Sequence, residues 1–83
     1  MNGFLSIGRF PGQAIKVGRM WLELVTDRTF RIEGGNFKVG TPVKVGGSVL
    51  IHSRPNPLGG VIFSIKAPRQ VRIVREELIN GNV

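Results

Sequence analysis

The chain has no cysteine. That removes disulfides and thiolate metal sites as sources of stability. It has one histidine, His52, and one histidine without cysteine makes no zinc-ligand set. No metal and no cofactor are therefore expected. Cysteine-free composition fits a reducing compartment, and a cytoplasmic location is the expectation. No apolar run approaches the roughly 18 residues that a spanning helix needs, so no membrane role is expected. The first residues, Met1-Asn2-Gly3-Phe4-Leu5, lack the charged and long apolar regions of a signal peptide.

Acidic residues are also scarce. The five are Glu23, Asp27, Glu33, Glu76 and Glu77. No carboxylate pair sits among the cationic residues apart from Glu76-Glu77, which are adjacent in sequence and suit a helix start better than general acid–base work. His52 lies in a β-branched run, where a packed or solvent-facing role is favoured over a catalytic one. Gly34-Gly35 and Gly46-Gly47 are not followed by Lys-Ser/Thr, so no phosphate-cradling loop is present. Ser6 and Ser48 have no base beside them in sequence. An enzyme is not expected.

What is there is positive charge. The net charge is +7, and seven cations stand between Gly34 and Arg75 (Lys38, Lys44, Arg54, Lys66, Arg69, Arg72, Arg75) with no acid among them. A one-sign surface concentrates anions. For a small basic domain the favoured anion is nucleic acid. An anionic membrane is disfavoured because no long basic amphipathic helix is visible.

Eighty-three residues make a single domain at most, 1–83, with a modest core that oligomerisation would help. Patterning predicts strands at Phe4–Ile7, Gln13–Val17, Met20–Val25, Thr29–Glu33, Phe37–Val39, Val43–Val45, Ser48–Ser53, Val61–Lys66 and Gln70–Val74. Turns are predicted at Gly8–Gly12, Gly34–Asn36, Gly46-Gly47 and Arg54–Gly60. A short helix is predicted at Glu76–Ile79, stopped by Gly81. Trp21 and Phe63 are expected in the core, the lesser alternative for either being an exposed base-stacking role. Gly12-Gln-Ala-Ile-Lys-Val-Gly18 resembles Gly40-Thr-Pro-Val-Lys-Val-Gly46 at a spacing of 28. This repeat has two readings, a duplicated strand or a chance match in a glycine-rich β sequence; two copies are too few for a solenoid.

A basic β-rich module suits unpaired bases better than duplex DNA, because no recognition helix is present and strand edges can read exposed bases. At Ala67-Pro-Arg-Gln-Val-Arg-Ile-Val-Arg-Glu-Glu-Leu78 the chain resembles the carbon storage regulator (CsrA/RsmA) family. Its signature there is Ala-Pro-x-x-Val-x-[Val/Ile]-x-Arg-Glu-Glu-[Ile/Leu]. The likeness runs back through Gly60–Lys66 to about Thr41, with Val45-Gly46 at the end of the family's second strand. Leu5–Gly18 is similar to the family's first strand, turn and second strand, with Arg9, Gly12 and Gly18 on family positions. About 28 residues near 19–45 are extra, as if an inserted β segment surrounded the second strand. Either copy of the repeat aligns to that strand. Arg9-Phe10 stands where the family carries two arginines, so one cation is lost. The C-terminal helix is cut short at Val83.

The resemblance implies an all-β fold with a short C-terminal helix, its small antiparallel sheets forming an intertwined CsrA-like homodimer. It implies a sequence-specific post-transcriptional regulator that binds GGA-containing hairpin loops in mRNA leaders and represses translation or alters mRNA stability. Small regulatory RNA hairpins would titrate it, and a protein antagonist is a further implied partner. The reading site would join Ile7, Gly8 and Arg9 of one subunit to Arg69, Ile73, Val74 and Arg75 of the other. Arg75 would be the main cation and Arg9 the second, with backbone at Ile7 and Ile73 reading base edges. Two such sites per dimer would add avidity of about 10²–10⁴ on an RNA with two loops. Arg72, one step from Ile73, faces the other side of the strand. Competing roles are core packing for Ile7 and Ile73, and a salt bridge to Glu76 or Glu77 for Arg75. The rival functions are a protein-interaction or structural module on the same fold, and a single-strand binder without sequence preference.

Overall fold

The computed structural model describes residues 4–80 of the chain. In order they form β1 (Phe4–Arg9), β2 (Ala14–Val17), β3 (Met20–Thr26), β4 (Thr29–Ile32), β5 (Gly35–Lys38), β6 (Val43–Val45), β7 (Val49–Pro55), β8 (Val61–Lys66), β9 (Ile73–Arg75) and a helix, α1 (Glu76–Asn80). The chain is thus all-β with a short C-terminal helix. The stop expected at Gly81 lies outside the described residues. No helix among the described residues is long and apolar enough to cross a membrane.

Several element boundaries differ from the patterning; β7 runs on through Arg54 and Pro55, expected in a turn, because they pair with Ile62 and Val61, and three others have equally local reasons. β1 runs through Gly8 and Arg9, which were expected in a turn, because pairing with β8 continues to Gly8↔Ile62 and Arg9↔Val61. The hairpin between β4 and β5 turns on Glu33-Gly34, with φ of 50° and 80°, so Gly35 and Asn36 are free to pair in β5. Two left-handed central residues are what a two-residue hairpin of this hand requires. β9 begins only at Ile73 because the Val71 amide donates to the Pro68 carbonyl at 3.0 Å, closing a turn first.

Two antiparallel sheets result. The four-stranded sheet has the order β1-β8-β7-β6, and the five-stranded sheet β5-β4-β3-β2-β9. Their organisation is a reciprocal exchange. β2-β3-β4 and β6-β7-β8 are successive meanders. β1, which precedes the first meander, lies against β8 of the second. β5, which precedes the second, lies against β4 of the first. The repeat found in the sequence falls on this symmetry. Gly12 and Gly40 have φ of 93° and 101°, and Gly18 and Gly46 both have 61°, so β2 and β6 are entered and left by the same backbone path. The residues expected as an insertion at about 19–45 form β3, β4 and β5 of the five-stranded sheet and β6 of the four-stranded one. The symmetry is broken at one edge: β9 pairs with β2, and β6 has no corresponding neighbour among the described residues.

Alternation buries one face of each sheet. Ile15, Val17, Leu22, Leu24, Phe30 and Ile32 from one sheet meet Ile7, Val43, Val49, Ile51, Val61, Phe63 and Ile65 from the other. Phe30 and Phe63 cross between the sheets edge to face, with centroids 5.4 Å apart, a geometry that adds to their burial. Phe63 is in the core as expected, whereas Trp21 is not. It is 41% exposed on the outer face of β3, because Leu22 and Leu24 take the inward phase of that strand. Lys16 lies over its ring at 5.5 Å.

Gly60 marks a tight contact in this arrangement. A Cβ there would stand 2.2 Å from the Arg9 carbonyl oxygen, whereas one at Gly46 would meet nothing within 4 Å. Both glycines have positive φ. Gly46→Ala is expected to cost about 1 kcal/mol from backbone conformation alone. Gly60→Ala is expected to cost about 2 kcal/mol or more, because it also drives β1 from the β7–β8 turn. Urea unfolding of the two variants distinguishes them; equal costs would mean that the close approach contributes nothing.

Candidate nucleic-acid interface

β1 and β9 are both edge strands, one in each sheet. An edge strand keeps one row of amides and carbonyls unpaired with its own sheet. The two edges are the ones proposed from sequence to read bases, and an ion pair between a buried arginine and a half-exposed glutamate ties the end of β1 to the helix that follows β9.

That ion pair starts with the phase of β1. Leu5, Ile7 and Arg9 alternate onto the inward face, so the strand delivers a guanidinium to an apolar interior. Arg9 is only 6% exposed. An uncompensated charge there would be very costly, and the fold supplies acceptors from three segments. Nε donates to the Gly8 carbonyl at 2.7 Å, and Nη1 donates to the Ala14 carbonyl at 3.3 Å. Nη1 and Nη2 donate to the two carboxylate oxygens of Glu77 at 2.7 and 2.9 Å. The bidentate fork is the strong, geometrically exacting form of this pair. Glu76 works beside it, accepting from the Ala14 amide at 3.1 Å. Thus α1, too short to persist alone, is tied at its first turn to β1 and β2.

The guanidinium of Arg9 holds the Glu77 carboxyl well below its usual range, from 4.5 to about 2, with Arg75 adding to the effect through its charge. Arg75 itself is exposed, and the ion pairs among the described residues, Arg9–Glu77 and Arg31–Glu23, do not include it. The salt bridge to Glu76 or Glu77 that competed for Arg75 is absent, because both carboxylates are turned toward the β1–β2 corner.

The seven residues singled out from sequence differ in their surroundings. Arg69 and Arg75 are exposed cations at the start and end of the β9 segment, and Arg72 is a third between them. Ile73 and Val74 are half-buried, and Gly8 is exposed. Ile7 is a core residue, 4% exposed, so only its backbone is left for reading bases. Arg9 corrects the expectation of a second free cation: most of its donors are taken inside the protein. It positions the two edges instead of offering charge. Arg72 and Val74 share the outer face with Lys16, lining a shallow concavity of about 360 Å³, which agrees with Arg72 facing away from Ile73. The residues that sequence reasoning passed over are Glu76 and Glu77 as ligands of this corner. The signal for them was an arginine in the apolar phase of β1, which demands an acid from elsewhere.

Comparison with protein-family models, curated proteins and solved structures finds no match for the chain.

A pH dependence follows from the ion pair. A carboxyl whose folded pKa is depressed contributes stability above its ordinary pKa and loses it as pH falls through the folded one. For Glu77 the window is from 4.5 down to about 2. Glu77→Gln is expected to melt below wild type at neutral pH, with the difference shrinking across that window. Thermal melts at several pH values check it; a constant difference down to pH 2 would contradict the assignment.

Proposed function

We propose that this chain is a sequence-specific RNA-binding regulator that takes a GGA-containing hairpin loop between the edges of β1 and β9, and so represses translation or alters the stability of the mRNA it holds. The observation that carries the proposal is the Arg9–Glu77 ion pair, which ties the end of edge strand β1 to the helix that directly follows edge strand β9, beside three exposed arginines on and near β9. Unpaired backbone groups suit the base edges of a splayed loop, and free guanidiniums suit its phosphates or stack on its bases. The likeness to the carbon storage regulator signature over Ala67–Leu78 supports the same reading. It also supports a cytoplasmic site of action, where mRNA leaders and small regulatory RNAs are met.

The proposal differs from the resemblance in one respect. The strand pairing that the resemblance spreads over two subunits is met within one chain, since β1 pairs with β8 and β9 with β2. The composite site then belongs to a single chain, with no second subunit needed to complete it. Its pseudosymmetric counterpart lacks a strand at β6, so each chain offers one loop-reading site. A tandem-loop RNA therefore gains nothing from the avidity of a two-site protein.

The test is fluorescence anisotropy on a GGA hairpin and on the same hairpin with a scrambled loop. Wild type should prefer the GGA loop. Arg75→Ala should weaken that binding by about tenfold or more, the scale of losing one strong guanidinium contact. Equal binding to both loops, or an Arg75→Ala variant that binds like wild type, would overturn the proposal.

A further inference from the structure

The four-stranded sheet turns a second surface to solvent, away from the core, and this surface has a chemistry of its own. Pairing register places its residues in rows. Phe4, Lys66, Leu50 and Lys44 form one row across β1, β8, β7 and β6. Ser6, Ser64 and His52 form the next, and Gly8, Ile62 and Arg54 the third. The strands of this sheet contain no acidic residue, whereas the outer face of the other sheet carries Glu23 paired to Arg31. All the positive charge of this face is therefore uncompensated by acids of its own sheet.

An aromatic group stands at one corner of that face, next to Lys66. Phe4 is 51% exposed. The His52 ring meets it edge-on at a centroid distance of 5.5 Å, and the Lys66 ammonium lies 6.0 Å from its centroid. Phe4 and His52 line an open concavity of about 540 Å³ with Arg54 and Ser64. The Ser6 and Ser64 hydroxyls are hydrogen-bonded to each other at 3.0 Å on its floor.

We propose that this outer face is a second contact surface, for single-stranded nucleic acid, with a base stacked on Phe4 and neighbouring phosphates held by Lys66, Arg54 and Lys44. The chemistry favours a polynucleotide over other anions. A flat sheet bearing an aromatic ring among cations offers both of the groups that single strands use, a π-face for the base and charge for the backbone. A lipid surface would want several apolar side chains to insert, and Phe4 is the one large exposed hydrophobic on this face. The surface shares β1 with the proposed reading site but uses the outer face of the sheet, and it does not depend on the GGA reading.

Binding of a short oligouridine, which has no GGA, tests it at low salt by anisotropy. Wild type should bind. Phe4→Ala should weaken binding by about tenfold, the scale of one lost stacked base, and Phe4→Trp should restore it. Lys66→Gln should lower the salt slope by about 0.7, as for one phosphate on a single strand. Arg75→Ala should leave oligouridine binding within about threefold while it weakens the GGA hairpin, so the two surfaces fail separately. Amide shifts of His52 and Ser64 on titrating wild type give a reading that needs no variant. Phe4→Ala binding like wild type, unmoved amides at His52 and Ser64, or capture by phosphatidylglycerol vesicles with no oligouridine binding would each overturn the proposal.

Discussion

The structure depends on a constraint of connectivity: each sheet is completed by a strand that belongs, in chain order, to the other sheet's meander. β1 closes the sheet built from β6, β7 and β8, and β5 closes the one built from β2, β3 and β4. A chain of 83 residues has little core to spare. The long-range β1–β8 pairing makes that core common to both sheets, because the β6–β8 meander gains its outer strand only from the start of the chain, whereas β5 joins β4 directly through the Glu33-Gly34 hairpin. Phe30 from one sheet and Phe63 from the other meet at its centre. The same constraint places β1 and β9 as the outer strands at one corner, which is where the proposed reading site lies.

Charge is divided in keeping with this layout. All of the acids lie outside the four-stranded sheet. Two of them, Glu76 and Glu77, are used at the corner to hold the Ala14 amide and the Arg9 guanidinium. This uses the negative charge nearest β9 in internal bonds and leaves Arg69, Arg72 and Arg75 without a carboxylate partner among the described residues. Pro42 stands where Ala14 stands in the other copy of the repeat, and proline has no amide to give. The interaction that anchors Glu76 at β2 is therefore unavailable at β6, a local reason for the symmetry to break at that edge.

Much of the strand pattern was legible, since alternation and glycine punctuation set the period directly. The repeat of Gly12–Gly18 in Gly40–Gly46 was also legible, though whether it meant a duplicated strand became clear only from matching backbone angles. The exchange was not legible: β1 and β8 lie at opposite ends of the chain, and nothing in Phe4–Arg9 names Val61–Lys66 as its partner. Trp21 was misplaced although the pattern was present, because Leu22 and Leu24 fill the inward phase and leave Trp21 with Glu23 outside. Arg9 was read as a ligand-binding cation because the resemblance placed it there, while its phase with Ile7 pointed inward. Arg69, Arg72 and Arg75 were correctly read as accessible because a short strand beside a turn offers nowhere to bury them.

A reading site complete in one chain requires the β1–β8 pairing to be closed within that chain. Light scattering during size exclusion, across a range of concentrations, measures that directly. The account predicts a single species at the chain mass of 9.1 kDa, independent of concentration. A species of twice that mass persisting on dilution would contradict it, and would return β1 and β9 to pairing between subunits.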